Sequence, residues 1–233
     1  MEAHIHNFQL RRLAAADPAT DAAALFLAES FGQHALFEHA FPDSGARAFA
    51  LRALFRAIVE DAARHGRVEA AFSDELAGVL LWYPPGHYPM TLARELAGLR
   101  SWLQIAARAP LGLFRLSRLQ ATLDSLRPKA PHCHGYFLAA RASARIGFVL
   151  ARRMLDEADA RGWPTYLETQ DPRTVSLYLR LGFHIVDSVD AAGTPTWTMW
   201  RRPLACAAAP APAGLGKARA RRIDEKPLMP NPA

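Results

Sequence analysis

The chain has 233 residues, 51% of them hydrophobic and 21% charged, and a net charge of +6. That length buries a real core in one large domain, or in one domain with an appendage, and the composition is that of an ordinary soluble globular protein. It has no run of about eighteen apolar residues, and Met1–Leu13 lacks a signal peptide's apolar stretch, so the sequence predicts a cytoplasmic protein with no membrane partner.

"FQLRRL" (Phe8–Leu13) reads as a first short strand. In the "DPATDAAALFLAESFG" that follows, Asp17 is placed to cap the free N–H groups of a helix and Pro18 suits its first position. A second helix is expected over Gly45–Arg64, where Phe49, Leu51, Leu54, Phe55, Ile58 and Val59 make a broad apolar face, ended by His65-Gly66. Two β-rich runs, Arg67–Phe72 and Leu76–Trp82, flank "SDE" as a hairpin, and Pro84-Pro85-Gly86 closes the second. Met90 to Leu126 reads as a helical insert broken near Pro110. Leu92, Leu96, Leu99 and Leu103, then Leu116, Leu119, Leu123 and Leu126, recur at helical spacing, so the insert is expected to pack its leucines and leave a basic face in water.

A strand over Cys133–Ala140 and a helix over Ile146–Ala160 come next. Phe148, Ala151, Met154, Leu155 and Ala158 line one side of that helix, and Gly162 ends it. Pro164–Thr169 is a further strand. "DPRTVSLYLRLG" is a well-marked helix with Asp171 as cap, Pro172 in the first turn and Gly182 at the stop. "FHIVDSV" and "PTWTMWRR" form a last hairpin. One parallel crossover, Cys133 to Thr169, thus sits in an otherwise antiparallel sheet, which makes the class α/β in the α+β sense, a mixed central sheet flanked by helices. The domain is expected over residues 5–202, with the insert at about 90–127. Residues 203–233, rich in alanine and proline, are expected to be a disordered tail.

The tail carries half of the net charge, with Lys217, Arg219, Arg221, Arg222 and Lys226 against Asp224 and Glu225. Short basic tails are a common non-specific feature, so nucleic acid is not taken as the partner. The cysteines, Cys133 and Cys206, read as separate reduced thiols. His132 and His134 share a strand face by alternation, and no third metal ligand accompanies them, so no metal is expected. His4 and His6 are expected in solvent. Nothing in the sequence has the spacing of a phosphate-binding Walker loop or a nucleophile elbow.

Residues Pro164–Val186 carry the most specific signal. Tyr166-Leu167-Glu168-Thr169, Pro172-Arg173, Val175, Tyr178 and Leu181-Gly182-Phe183 resemble the strand-helix ending "LETSNPRNVPLYERLGF" of bacterial Gcn5-related N-acetyltransferases. Ala77–Gly86 and Pro131–Ala140 resemble two upstream strands of the same family, and the element order agrees over roughly residues 6–202. The resemblance implies that fold and a direct transfer of an acetyl or other acyl group from acetyl-coenzyme A, as co-substrate, to an amine of a small molecule. It leaves a homodimer open. Two parallel strands would part near their middle, the pantetheine arm would lie along the gap, and the helix behind would turn its N-terminus to the pyrophosphate.

The same resemblance implies the site residues. Leu138, Ala139, Ala140, Arg141, Arg145, Ile146, Gly147 and Thr174 would hold the cofactor, and Thr174 stands where the family has asparagine. Tyr178 would protonate the departing thiolate. Glu168, raised in pKa by burial, is a candidate base, or else a structural residue of the motif. Trp82, Tyr83 and His134 are placed toward the acceptor, with His134 a second candidate base, and the pocket would draw on the first two helices, the Trp82–Tyr88 loop and the insert. One departure is serious. The family's turn, about "DPxxQGKGIGxxLL", is here the shorter "RASARIGFVL" with one glycine, Gly147. Either Arg141 and Arg145 replace the lost N–H contacts with charge, or the cradle is gone and the protein is a non-catalytic relative serving as a ligand-binding or interaction module.

Overall fold

The structure is a computed structural model and describes residues 8–141 and 144–204. The expected disordered tail, apart from its first two residues, lies outside the described residues, as do Cys206, His4, His6 and the turn residues Ala142 and Ser143.

The elements follow in the order β1 (Gln9–Leu13), α1 (Ala19–Ser30), α2 (Ala35–Ala40), α3 (Ser44–His65), β2 (Arg67–Phe72), β3 (Leu76–Tyr83), α4 (Leu92–Ala97), α5 (Leu99–Arg108), α6 (Pro110–Leu126), β4 (Cys133–Ala140), α7 (Ala144–Ala160), β5 (Thr165–Thr169), α8 (Pro172–Arg180), β6 (His184–Ala191) and β7 (Thr194–Arg201). The seven strands form one sheet in the order β1-β2-β3-β4-β5-β7-β6, antiparallel throughout except for the β4/β5 pair. β7 pairs with both β5 and β6, so the last hairpin folds back and places its second strand inside.

Local chemistry accounts for several of the helix ends. Asp17 accepts from the Ala19 N–H at 2.9 Å ahead of α1, Asp43 from Ala46 at 2.7 Å ahead of α3, and Asp171 from Arg173 at 2.8 Å ahead of α8. After α8 the chain turns at Gly182, whose φ of +87° is costly for any residue with a β-carbon.

Helices cover both faces of the sheet, which is why β3 reads "LAGVLLWY" with little alternation. Leu81 and Tyr83 belong to the core formed with α1, α2 and α3, and Leu80 and Trp82 to the core formed with α7 and α8. On the second face the fully buried Glu69 binds Arg12 at 2.5 Å and Arg153 at 2.7 Å, tying β1, β2 and α7 together.

Three expectations change. The short helix α2 was not anticipated from the sequence. The insert breaks at Gly98 as well as near Pro110. Its first leucine run is not its buried face: Leu92, Leu96, Leu99 and Leu103 are exposed, and the contact with the first core is made by Ile105, fully buried, with Trp102 and Leu116 packed beside it, while in the second run Leu119 is buried and Leu123 packs with it, as expected. The break at Gly98 restarts the helical phase, so the spacing read through 92–103 does not describe one continuous surface. On α7, Ala151, Met154, Leu155 and Ala158 are buried as expected, and Phe148 is exposed.

A candidate acyl-transfer cleft between β4 and β5

The parallel ladder between β4 and β5 has three registered pairs, Cys133–Thr165, His134–Tyr166 and Gly135–Leu167. Beyond them β4 runs on to Ala140, still paired with β3 on its other side, and β5 ends at Thr169. The strands therefore part. Residues 136–140 present one backbone edge to a cleft of about 1420 Å³, which continues between α7, α8, the α1–α3 layer and the insert.

Several residues named from the sequence meet there. Leu138, Ala139 and Ala140 line the open edge of β4, Gly147 lines the α7 wall, Thr174 and Tyr178 the α8 wall, and His134 and Glu168 the floor where the strands separate. A β-carbon on Gly147 would meet nothing closer than Ala140 Cβ and Leu138 Cδ2, both at 3.9 Å. Packing within the protein leaves room for one there, so this glycine keeps open the space between α7 and the end of β4. That is the space a pantetheine-linked phosphate needs, and the residues present fit such a group. Thr174 Oγ1 donates to the Asp171 carbonyl at 2.8 Å and also meets Thr169 Oγ1, so its hydroxyl joins α8 to β5.

Other residues are placed elsewhere, each for a packing reason. Trp82 is fully buried on the opposite sheet face, in the α7 core, because alternation along β3 turns it away from Tyr83. Tyr83 is also fully buried outside the cleft, and its hydroxyl donates to Asp61 at 2.7 Å. Ile146 packs inward against Gly78, where an added β-carbon would sit 2.6 Å from Ile146 Cγ2. Arg141 does not line the cleft. Its backbone N–H donates to the Ala77 carbonyl, and its guanidinium lies between Glu29 at 3.7 Å and Glu75 at 3.6 Å, over the Phe26 ring. Arg145 is exposed in the first turn of α7, also outside the cleft wall. A side-chain clamp of two arginines on the phosphates is therefore not the arrangement found, and the α7 end and the β4 edge are what face the gap.

The floor has its own electrostatics. Burial pushes the Glu168 carboxyl up to about 7, and the neighbouring Tyr166 and Arg127 pull the other way. His134 Nε2 is 3.4 Å from Glu168 Oε2. Burial holds His134 well below the usual imidazole range, so the pair is a neutral imidazole beside a carboxyl that titrates near neutrality. His134 Nδ1 is buried without a hydrogen-bond partner among the described residues. Tyr178 Oη has no hydrogen-bond partner among the described residues, its ring packs on Phe183 at 5.4 Å, and burial raises its pKa, which keeps it a neutral phenol.

The sequence reading did not single out Tyr136, Asp61, Arg94 or Asp124. Tyr136 shares the strand face of His134 by period-two spacing and was within reach of that argument. Asp61 and Arg94, bound to each other at 2.5 Å, are 33 residues apart and no local pattern relates them.

No family model matches the chain. Solved structures do. A protein from Corynebacterium glutamicum described as histone acetyltransferase HPA2 and related acetyltransferase is 25% identical, over 83% of this chain and 96% of that one, with a TM-score of 0.56. Arylalkylamine N-acetyltransferase 2 of Aedes aegypti is 12% identical over 84% and 99%, with a TM-score of 0.51. The C-terminal condensation domain of Ebony, solved with beta-alanyl-dopamine, is 11% identical over 85% and 100%, with a TM-score of 0.52. These likenesses cover 83 to 85% of the chain, and with the parted β4/β5 pair they identify the chain as having the fold of the Gcn5-related N-acetyltransferases.

Proposed function

We propose that the protein transfers an acetyl or related acyl group from acyl-coenzyme A to an amine of a small molecule, by direct attack within one ternary complex. The observation that carries the reading is the early end of the β4/β5 ladder. It opens one edge of residues 136–140 onto a cleft that also receives Glu168 and Tyr178.

The free backbone edge of β4 and the space over Gly147 would hold the cofactor, with Thr174 on the facing wall. When bound, acyl-coenzyme A supplies an activated thioester carbonyl, which backbone N–H groups near Leu138–Ala140 are placed to polarise. Glu168 Oε2, with a pKa of about 7, takes the proton that an amine must lose to attack. Neutral His134, 3.4 Å away, supports the carboxyl without competing for that proton. Tyr178 Oη, kept protonated by burial, is the donor for a departing thiolate. The apolar surroundings exclude water and limit hydrolysis.

Cofactor-dependent stabilisation tests the reading. At a hundredfold excess over its dissociation constant, coenzyme A should stabilise the wild-type protein by about 2.7 kcal/mol in chemical denaturation. Gly147→Leu, which fills the space between α7 and β4, should abolish that shift and leave unliganded stability within about 1 kcal/mol. No shift for the wild type at millimolar coenzyme A would refute the transfer reading in favour of a non-catalytic relative.

A further inference from the structure

The part of the cleft beyond Glu168 has a definite chemistry, and its occupant follows from which groups there are already satisfied. An unbroken aromatic wall leads away from the carboxyl. Ring centroids lie 4.2 Å apart for Tyr88 and His134, 5.1 Å for Tyr88 and Tyr136 and 4.5 Å for Tyr136 and Phe137, all tilted, and Phe31 meets Phe137 and Phe37 edge-on at 5.2 and 6.1 Å. All six rings line the cleft, and Tyr88, Tyr136, Phe137 and Phe31 are only half-buried, so this wall has apolar surface still to cover.

The carboxylates along the same stretch are already committed. Asp61 accepts two hydrogen bonds from Arg94, at 2.9 and 2.5 Å, and a third from Tyr83. Asp124 is held by Arg127 at 2.6 Å and Gln120 at 3.1 Å. The exposed carboxylates at the rim, Glu60, Glu95 and Asp171, share it with Arg56, Arg64, Arg100 and Arg173. A ligand with one amine finds Glu168 for that amine and aromatic surface for the rest. A second ammonium carried down the same wall would be desolvated beside Asp61 and Asp124, each already bound to an arginine, and the remaining carboxylates, Glu60, Glu95 and Asp171, lie out at the exposed rim.

We infer that the acceptor is a small monoamine bearing an aromatic or alkyl body, and that di- and polyamines are rejected. The inference rests on the acyl-transfer reading and narrows its substrate. Two measurements separate them. The first is calorimetric titration of the cofactor-free protein with hexylamine, 2-phenylethylamine, 4-phenylbutylamine, agmatine and spermidine. The second is thiol release from acetyl-coenzyme A with the same amines.

Between 2-phenylethylamine and 4-phenylbutylamine, affinity and kcat/KM should each rise about fourfold per added methylene, with a negative heat-capacity change on binding. Agmatine and spermidine should be at least about tenfold poorer than the apolar amines in both assays. Agmatine or spermidine matching or exceeding 4-phenylbutylamine in either assay would overturn the inference, and so would rates indifferent to chain length. Selective binding of the apolar amines with no thiol release would refute acyl transfer and leave the chemistry of the wall standing. Thiol release that favours spermidine would do the reverse.

Discussion

Glu168 gives the sharpest link between the structure and a measurement. Its carboxyl ordinarily titrates at 4.5 and is lifted by burial to about 7 in the folded protein. Such a lift corresponds to about 3 kcal/mol against the charged form. The sign follows from linkage. Below the unfolded value both states are protonated and the full stability is present. As pH rises, the unfolded chain releases its proton first, and stability falls until the folded group also ionises near 7. Between pH 5 and pH 8 this one group should cost the wild-type protein about 2–3 kcal/mol. Glu168→Gln is nearly isosteric, carries no titrating proton, and should be free of that loss. The assay is urea unfolding of both proteins at pH 5, 6, 7 and 8, read as the difference between them at each pH so that other titrating groups cancel. The wild type should lose about 2–3 kcal/mol relative to the variant across the series. Parallel curves would show that Glu168 is not a buried carboxyl of raised pKa, and its role as the amine's base would fall with that. In turnover, the rise of kcat/KM through about pH 7 should vanish in the same variant.

Other outcomes follow from single contacts. Tyr178→Phe keeps the ring on Phe183 and removes the proton donor, so steady-state kinetics should show kcat falling by about a hundredfold or more while coenzyme A still stabilises the fold. Arg94→Ala leaves Asp61 on Tyr83 alone in a largely buried site and frees α4 from α3. Denaturant unfolding should report a loss of about 3 kcal/mol, and KM for the amine should rise. Gly112→Ala places a methyl group of α6 into the Phe41 ring and the Ala40 carbonyl and should cost about 1–3 kcal/mol in thermal unfolding. Cys133 is fully buried with its thiol pushed up to about 12, so it should resist alkylation in the native protein and react once unfolded, read by intact mass.

Much of the fold was legible in the sequence because local chemistry states it. Asp17, Asp43 and Asp171 all accept backbone N–H groups at helix starts, though Asp43 was not named in advance, and Gly66, Gly162 and Gly182 follow helix ends. β4 and α8 match their expected bounds because turn residues and proline flank them. In the site, the motif around Glu168 and Tyr178 sufficed to bring those two side chains to one cleft, since a strand and the helix directly after it fix their relative position over a dozen residues. The insert shows the limit. Leu92, Leu96, Leu99 and Leu103 repeat at helical spacing and still face water, because Gly98 resets the phase and Ile105 makes the buried contact, whereas Leu119 of the second run is buried as its spacing predicts.

What the sequence determined by itself was most of the elements, their order and the parallel crossover, all of which depend on residues close along the chain, while the short helix α2 and the break at Gly98 escaped it. Tertiary structure alone decided four things. It put β7 between β5 and β6, it packed the Trp82 face of β3 on α7 and the Tyr83 face on the α1–α3 layer, and it turned Arg141 toward Glu29 and Glu75 and away from the cleft. It also neutralised Asp61 with an arginine from the insert. The physical reason is common to these cases. Sheet order, the facing of a strand and the partner of a charge are settled by burial and pairing between segments far apart in sequence, and spacing along one segment carries no record of them.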